Sequence, residues 1–544
     1  MGQVPLNQKG GFIRFMKKTV KKLTAVGLTL TSVMSLVACG SSNTSSSSST
    51  TKEKTVAEKP STIKIMVDST VMTETQGQKA FNEQLNTALG LTVEITQPDH
   101  SGYYTSVSQA FNSDSTMPDV VILSSDYLAL YAANGLLWNM TDAWETSETK
   151  ASGRLISAAD SIINGLMVTG QDGKKGLYSL ALYRGNGCAT YIQKSALETA
   201  GIDVSKIEGQ TLDFATYYSY LKTITEKTGH YAISAPGFVS DEAPYLNYLP
   251  EFFQKAQYTF YADSTGKYVD GFSEQAMQDA LQRIATAVKD GVIDKESNSQ
   301  NTSQARTKFT SKDASTRSSV FTYWAGTWCN TLTTNLKTNG VDTDLIQLKP
   351  IKELGTYVER LSPSWAITSA CKNPEGVFQY FIDKLLDGDT VQTLMTYGAE
   401  GTHWSTKAET VTLQGKEDAG TTYTEGTFHM LPNPEKPTAL YSKNHIDPII
   451  SLASFSSTSV GSKGYATVPQ LAIDSENAFS SECSQAVAVP MTEAMGEYIG
   501  DINSCRKSVV SKVALGEMTV AEGMAYYKTT VGTKVEEVLK SLNK

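Results

Sequence analysis

Two predicted strands of this chain are each followed by an acidic residue. Asp68 follows the strand predicted at 63–67, and Asp126 and Tyr127 follow the strand predicted at 118–123. Ligands of α/β sheets bind beyond the carboxyl ends of strands, where carboxylates and phenols can exchange hydrogen bonds with a polar molecule. The pattern therefore predicts ligand contacts at these three residues, with a helix N-cap as the alternative role of Asp126.

A glycine-flanked arginine is a further candidate. Tyr183 and Arg184 precede Gly185 and Gly187 in a predicted loop. A guanidinium presents a planar fork of donors that suits paired oxygen acceptors. The pattern is equally typical of a solvated loop, so the residues predict either a ligand contact or an exposed turn.

No motif for catalysis or cofactor binding is present. The chain lacks His-Glu-x-x-His, Gly-x-Ser-x-Gly and the phosphate-binding Gly-x-x-x-x-Gly-Lys-Ser/Thr pattern, and its 5 histidines have no metal-ligand spacing. Residues 263–267 are too short for a calcium loop. We therefore expect no enzyme activity, no cofactor and no metal. The paired carboxylates of a glycosidase need only proximity in space, so that alternative stays open.

The N-terminal residues are typical of an export signal. A cluster of lysines precedes an apolar run at 23–36, and small residues precede Cys39. This order describes a secretory signal, and the apolar run is short for a membrane span. We assign residues 1–39 to a signal peptide whose true start is Met16, and the serine- and threonine-rich residues 40–60 to a tether.

Composition narrows the class of protein. The formal net charge of −9 and the absence of a basic cluster disfavour nucleic-acid binding. The 5 cysteines other than Cys39 include no Cys-x-x-Cys pair. Cys483 and Cys505 are closest in sequence and could pair in an exported protein, whereas buried free thiols are the alternative for all five.

The elements that must position these residues alternate between strand and helix. Strands are predicted at 63–67, 91–95 and 118–123, with helices at 77–89 and 103–111 between them. The third strand is continuously apolar, which predicts burial on both faces. This order predicts a parallel sheet covered by helices.

A second α/β alternation follows later in the chain. It covers 189–293, and a strand at 365–368, a helix at 374–386 and a mainly helical final 60 residues complete the pattern. We therefore predict an α/β protein with two lobes joined by several chain crossings.

Several blocks resemble extracellular solute-binding proteins of carbohydrate ABC importers. Residues 118–126 (Pro-Asp, an apolar strand, then a loop), 131–137 (ending in Gly-Leu-Leu) and 138–142 resemble a core block of that family. Residues 172–180 resemble its Asp-Gly-Lys-x-Tyr-Gly-x-Pro crossover, with leucine where proline is usual, and 191–202 resemble its Tyr-Asn-Lys-Asp-Leu…Ala-Gly-Ile block.

Later blocks narrow the resemblance. Residues 266–271, 288–294, 397–404 and 514–519 are similar to the long oligosaccharide-type lipoproteins of this superfamily, which include aldouronate and alginate binders. The Leu-Val-Ala-Cys-Gly sequence at 36–40 resembles the lipobox of bacterial lipoproteins, which implies cleavage before the cysteine and lipidation of its thiol.

The resemblance implies the type II periplasmic-binding-protein fold, in which two α/β lobes close on a ligand in the cleft between them. Lobe 1 would comprise residues 61–180 and 348–400, and lobe 2 residues 181–347 and 401–544.

Further site residues follow from the resemblance alone. Trp328 matches a stacking position, Trp365 a position facing the cleft, and His403 and Trp404 lie in a late family block. Asp126 and Tyr127 also match sugar-contacting positions of the family. Core packing is the alternative for these tryptophans. Core or surface packing is the expected role of Tyr103, Tyr104, Trp138, Trp144 and Trp324.

The resemblance implies a solute-binding subunit that is anchored by lipid at Cys39 to the outer face of a Gram-positive cell membrane. It would be a monomer that captures an oligosaccharide and delivers it to membrane permease subunits. A surface-anchored glycoside hydrolase and a binder of a non-sugar ligand such as a peptide are the alternatives.

Overall fold

The strand and helix alternation predicted for the N-terminal part is confirmed in the structure, a computed structural model. It describes residues 56–69, 75–99, 102–240, 246–253, 255–313, 315–353, 355–415, 420–441, 446–454 and 468–544. The predicted signal peptide, Cys39 and residues 40–55 of the tether lie outside the described residues. Residues Glu58–Lys544 form one compact unit.

The strands are short. In chain order they are β1 (Thr62–Met66), β2 (Thr92–Thr96), β3 (Val120–Leu123), β4 (Met167–Thr169), β5 (Lys175–Leu177), β6 (Cys188–Gln193), β7 (Phe260–Ala262), β8 (Tyr268–Asp270), β9 (Val320–Trp324), β10 (Leu345–Gln347), β11 (Tyr357–Glu359), β12 (Ser364–Ile367), β13 (Trp404–Ser405), β14 (Glu409–Val411), β15 (Thr421–Tyr423), β16 (His429–Met430), β17 (Pro432–Asn433), β18 (Lys436–Leu440) and β19 (Cys483–Gln485).

The helices are longest at the C-terminus. In chain order they are α1 (Thr75–Leu89), α2 (Tyr103–Ala110), α3 (Ser125–Ala133), α4 (Thr141–Glu145), α5 (Glu148–Ala151), α6 (Ala159–Gly165), α7 (Lys194–Thr199), α8 (Phe214–Thr228), α9 (Gln275–Lys289), α10 (Thr302–Thr310), α11 (Thr327–Thr338), α12 (Pro374–Val377), α13 (Thr390–Tyr397), α14 (Gln470–Ser480), α15 (Glu493–Ala514) and α16 (Val520–Leu542). The helix predicted at 374–386 continues after α12 as a π-helical segment, Phe378–Ile382, and a 3-10 segment, Asp383–Leu386.

The first sheet is the one that the sequence predicted. Its order is β12-β3-β1-β2, with β1 parallel to both β2 and β3, and β12 antiparallel to β3 at the edge. All four residues of β3 are buried, as its continuous apolar sequence requires. The carboxyl ends of β1 and β3 therefore meet at one edge of the sheet.

The second sheet has three strands in the order β10-β6-β9, and both neighbours run antiparallel to β6. Every residue of β6 is buried because helices and loops of this region cover both faces. β9 ends at Trp324, immediately before α11, so its last residues lie where this sheet can face the first one.

Two separate hydrophobic cores lie on these sheets. The first contains apolar residues within 63–182, 361–399 and 446–453, and the second contains apolar residues within 188–357 and 479–538. Each core is built around one sheet, so the cores define two lobes, as the predicted two-lobed α/β fold class requires.

The chain passes between the cores at 183–187 and 358–360, and a third time between Ala453, in the first core, and Leu471, which packs on the second. The crossings predicted near 347 and 400 differ from the second and third of these passages. The second lies later because β10 still pairs with β6, and the third lies later because residues 446–453 return to the first core. Crossings carry no hydrophobic pattern of their own, so only the packing reveals them.

The five described cysteines are free thiols, so Cys483 and Cys505 do not pair. No helix in the described part of the chain is long and apolar enough to cross a membrane.

Candidate functional site

Polar and aromatic side chains gather beyond the carboxyl ends of β1 and β3, as predicted. Asp68 follows β1, and its charge acts on the phenol of Tyr104 on α2. The Tyr104 ring stacks on Tyr127 of α3, with centroids 4.4 Å apart and an interplanar angle of 9°. The structure thus brings the predicted residues Asp68 and Tyr127 to one rim, with Tyr104 between them.

Asp126 belongs to the same rim and does not cap α3. The N-cap is Ser124, and Asp126 lies in the first helical turn. Its carboxyl is held by the Ser125 hydroxyl at 3.4 Å, a long hydrogen bond. Burial raises the pKa of the Asp126 carboxyl, and the Ser125 bond opposes that rise only in part. A half-buried carboxyl that the protein bonds only weakly is suited to a ligand hydroxyl.

Tyr183 lies on the first crossing between the lobes and extends the rim in that direction. Burial raises the pKa of its phenol, the Arg360 guanidinium and a hydrogen bond with Ser362 lower it, and the Asp68 charge raises it. These effects show that the Tyr183 phenol lies near both Asp68 of lobe 1 and Arg360 of the second crossing. Tyr183 was predicted as a ligand contact or as part of an exposed turn. Its side chain is half-buried, and the ligand contact stays a prediction.

Arg360 connects this group to lobe 2. Its Nε donates to the Gly185 carbonyl at 2.7 Å, and its guanidinium lies over the Trp324 ring at 5.0 Å from the centroid. Trp324 is half-buried at the end of β9. We call the set Asp68, Tyr104, Asp126, Tyr127, Tyr183, Trp324 and Arg360 the candidate cleft.

Sequence reasoning missed three members of the candidate cleft. Tyr104 and Trp324 were interpreted as packing residues, and Arg360 carried no sequence signal. The position of Trp324 at the end of a buried strand, directly before Ala-Gly, is the one cue that pointed to a rim.

Arg184 has a different role from the predicted ligand contact. Its Nε and Nη2 each donate to a carboxylate oxygen of Glu359 at 2.8 Å, and its Nη1 donates to the Ser480 hydroxyl at 2.5 Å. The residue is 8% exposed. Arg184 thus joins the first crossing to the second and to α14, where the third crossing ends, and has no fork of donors left for a ligand. The alternative of a solvated loop is also excluded.

A second glutamate completes this arrangement. Glu476 Oε1 lies 3.9 Å from Arg184 Nη1, and Glu476 Oε2 is buried without a hydrogen-bond partner among the described residues. Burial raises the pKa of Glu476 to about 7, Arg184 opposes that shift and the Glu359 charge adds to it. We call Arg184, Glu359, Glu476 and Ser480 the hinge cluster.

Trp328 lies on lobe 2, in the first turn of α11, with its ring surrounded on two sides. The Arg306 guanidinium lies over it at 4.9 Å from the centroid, and the Tyr323 ring meets it edge to face at 4.8 Å. Trp328 is half-buried. No described contact joins it to the candidate cleft, so ligand stacking at Trp328 stays a prediction.

Three predicted site residues lie in the interior instead of at the rim. Trp365 is 1% exposed and packs edge to face on Phe381 at 5.7 Å. His403 is 1% exposed, and its Nδ1 accepts from the Ala399 backbone amide at 2.9 Å. Trp404 is 4% exposed and donates from Nε1 to the Gly398 carbonyl at 2.8 Å. In this conformation they pack and fix a turn, which is the alternative role that the sequence left open.

No group of three histidine, cysteine or acidic side chains is placed to hold a metal ion in the part of the chain that the structure describes. The described side chains of the candidate cleft offer hydrogen bonds and a pair of stacked rings.

Two α/β lobes, three crossings and a polar aromatic rim where the sheets face each other define a two-lobed binding protein. Residues 73–405 match the sequence model of the family described as bacterial extracellular solute-binding protein. The chain belongs to this family. No curated protein matches the chain.

Solved structures share the fold at low sequence identity. A family 1 extracellular solute-binding protein from Alicyclobacillus acidocaldarius is 14% identical, with 89% of this chain and 100% of that chain covered and a TM-score of 0.55. An N-glycan transport solute-binding protein from Streptococcus pneumoniae is 17% identical, with 89% and 98% covered and a TM-score of 0.54. A cyclic α-maltosyl-1,6-maltose-binding protein from Arthrobacter globiformis is 14% identical, with 88% and 100% covered and a TM-score of 0.52. The predicted type II binding-protein fold is confirmed.

Proposed function

We propose that this protein captures a carbohydrate, specifically an oligosaccharide, for an ABC importer and binds it in the candidate cleft. The observation that carries the proposal is the combination of Asp126, whose carboxyl is half-buried and weakly bonded, with the stacked rings of Tyr104 and Tyr127. Sugars present apolar C–H faces that pack on aromatic rings and hydroxyls that need polar partners.

Solved structures of the same fold support the choice of ligand class. Two of them are named for an N-glycan and for a cyclic maltosyl-maltose. The open layout of the rim, spread over α2, α3 and two crossings, suits a ligand of several rings better than a single amino acid.

Capture would proceed by closure of the lobes. A ligand that contacts Asp126 on lobe 1 and Trp324 on lobe 2 favours the closed form by its differential affinity for that form. Tyr183 and Arg360 lie on the crossings, so they can contact the ligand in both forms. The closed shape is then the one that permease subunits would recognise.

Surface attachment is part of the proposal. The lysines, apolar run and Cys39 of the N-terminal sequence support export followed by lipidation, with the protein acting at the outer face of the membrane. Metabolic labelling with a radioactive fatty acid should mark the wild type and fail to mark Cys39→Ala. Equal labelling of both would contradict the anchor.

The ligand class is tested by a thermal-shift screen of the mature protein against oligosaccharides and peptides. A ligand of the folded state raises the midpoint of unfolding by mass action, so an oligosaccharide should shift it and the peptides should not. The stabilising glycan should be recovered intact after incubation, because shortened products would identify a hydrolase.

A matched control separates cleft binding from adherence to exposed rings. Tyr127→Ala should reduce the shift, whereas Tyr526→Ala, which removes a 38% exposed tyrosine from α16, should leave it unchanged. A shift produced by peptides alone would overturn the carbohydrate assignment.

A further inference from the structure

A pocket of about 380 Å³ lies on lobe 1, outside the candidate cleft. Its walls include Trp138, Asn139, Gln171, Asp172 and Tyr178. The volume is at the small end of the range for ligand sites. A mostly apolar pocket with two aromatic rings and a few polar side chains has the composition of a small-ligand site and is not accounted for by the proposed cleft.

The pocket and the candidate cleft lie at opposite edges of the first sheet. β3 runs from Val120 toward the cleft at Leu123, and antiparallel β12 pairs Ile367 with Val120. Thr368, which lines the pocket, bonds to the carbonyls of Asp119 and Pro118, before β3 begins. The pocket therefore opens at the amino end of β3, so a ligand there would not lie between the lobes.

The pocket is built on regular backbone. Leu137 forms a bridge with Thr368, and the Trp138 amide donates to the Ile367 carbonyl at 2.8 Å, so this segment extends the sheet beyond β12. Asp172 lies in the turn between β4 and β5, where its Oδ1 accepts from the Lys174 amide at 3.0 Å. These hydrogen bonds fix the backbone around the pocket, and the side chains of Asn139, Gln171, Asp172 and Ser369 are exposed to solvent.

Two glycines bring the backbone close to the pocket's polar side chains. A Cβ at Gly135 would collide with the Gln171 side chain, and a Cβ at Gly170 would collide with the Tyr178 hydroxyl. Gln171 and Tyr178 therefore lie directly on bare backbone, and a larger residue at either glycine would displace them into the pocket.

Several polar groups of the pocket have unused hydrogen-bonding capacity. Among the residues that the structure describes, the Gln171 amide, the Ser369 hydroxyl and the Trp138 indole N–H have no hydrogen-bond partner. Asn139 Nδ2 reaches the Tyr178 hydroxyl only at 3.5 Å, and the Asp172 charge acts on that phenol. The Trp138 ring is half-buried and contacts Phe378 at a tilt.

We propose that this pocket is a second carbohydrate site that holds a short saccharide, with Trp138 against a ring face and Gln171, Asp172 and Ser369 on its hydroxyls. The carboxylate of Asp172 and the absence of a lining lysine or arginine disfavour an anionic ligand. A glycan held here and at the cleft together would gain from effective concentration.

The test uses a cleft-inactivated mature protein, Asp126→Asn with Tyr127→Ala, and three probes: maltotetraose, mannotetraose and chitotetraose. Saturation-transfer NMR and titration should show that one probe still binds. Adding Gln171→Ala should weaken that binding at least fivefold, and adding Trp138→Phe should weaken it as well. Gln210→Ala, an exposed glutamine of lobe 2, is the matched control and should change nothing.

The outcomes separate this site from the cleft. Binding to the cleft-inactivated protein that Gln171→Ala removes supports the pocket even where the cleft fails to bind sugar. Loss of all binding in the cleft-inactivated protein overturns the pocket and leaves the proposed function intact. Residual binding that neither Gln171→Ala nor Trp138→Phe alters also overturns it, because the sugar is then elsewhere.

Discussion

The candidate cleft and the hinge cluster both hold carboxylates away from bulk water, and they partner them differently. Asp126 in the cleft has one long hydrogen bond from Ser125. Glu359 in the hinge cluster accepts two short hydrogen bonds from Arg184. A polar group whose hydrogen bonds are all made within the protein holds the fold together. A polar group that can still accept a hydrogen bond is available to a ligand. Position near the cleft alone did not distinguish them.

The largest expected effect is on the hinge cluster. Arg184→Met should lower the free energy of unfolding by about 3–5 kcal/mol, because Glu359 is then left as an unpaired buried charge. Denaturant unfolding of the ligand-free protein measures this loss.

A double variant sharpens that test. Arg184→Met with Glu359→Leu should recover most of the loss, because a buried ion pair and an apolar replacement are often similar in stability. Weakened ligand binding by Arg184→Met with unchanged stability would instead show that Arg184 belongs to the cleft.

The second effect is a pH dependence of the hinge cluster. The pKa of Glu476 is raised to about 7 by burial, above its usual 4.5, so the folded state holds a proton that the unfolded state releases. Stability from this group is full at acidic pH and is lost as pH rises from about 4.5 through 7, by a few kcal/mol at most.

Glu476→Gln should flatten the stability profile between pH 5 and 8, as unfolding at a series of pH values would show. Burial raises the pKa of Glu251 to about 8, which lowers stability with rising pH in the wild type and in Glu476→Gln alike. The difference between the two stability profiles therefore isolates the contribution of Glu476. If the free energy of unfolding of Glu476→Gln changes with pH as steeply as that of the wild type, the raised pKa assigned to Glu476 is wrong.

The third effect is on the cleft and should appear in binding alone. Asp126→Asn should weaken the binding free energy of the glycan by about 1–3 kcal/mol, because the substitution removes a charged acceptor of a ligand hydroxyl. The ligand-free protein should be as stable as the wild type or more so, since burial already disfavours the charged carboxyl.

Calorimetric titration and thermal unfolding of the same Asp126→Asn sample measure both quantities. A clear loss of stability with unchanged affinity would make Asp126 a structural residue and would remove the contrast with Arg184.

The smallest effect concerns Arg306, a matched arginine outside the hinge cluster. It donates to the Tyr323 hydroxyl at 2.7 Å and lies over Trp328, and no described ion pair holds it. Arg306→Met should lower the free energy of unfolding by about 1 kcal/mol, which is the scale of a cation–π contact at a partly exposed site. If denaturant unfolding shows the same loss of stability for Arg306→Met as for Arg184→Met, the ion pairs of the hinge cluster contribute no more stability than the contacts of Arg306.

The first sheet could be predicted from sequence because its strands are local and strongly patterned. Residues 118–123 form an unbroken apolar run, and the strand-end positions of Asp68 and Asp126 follow directly from it. The lobe boundaries could not be predicted in the same way. Ile446 and Leu452 belong to the first core although they lie about 50 residues beyond the predicted third crossing near 400, and no periodicity marks that return.

The tryptophans show the same limit. Trp365 and Trp404 occur in family-like blocks, yet they pack in the interior, while Trp324 was read as packing and lies half-buried against Arg360. A side chain's exposure depends on which element covers it. That is a property of contacts between distant segments, which residue type and spacing do not contain.

The sequence by itself determined the fold class, the strand-end location of the cleft's acidic rim and the family, because local hydrophobic period and motif order encode them. The tertiary structure alone decided which charges are satisfied. Arg184, Glu359 and Glu476 are separated by more than 100 residues from one another in the chain and meet only where the three crossings come together. Arg184 has its hydrogen bonds completed by that meeting of distant segments, whereas Asp126, with one long hydrogen bond, keeps an acceptor free.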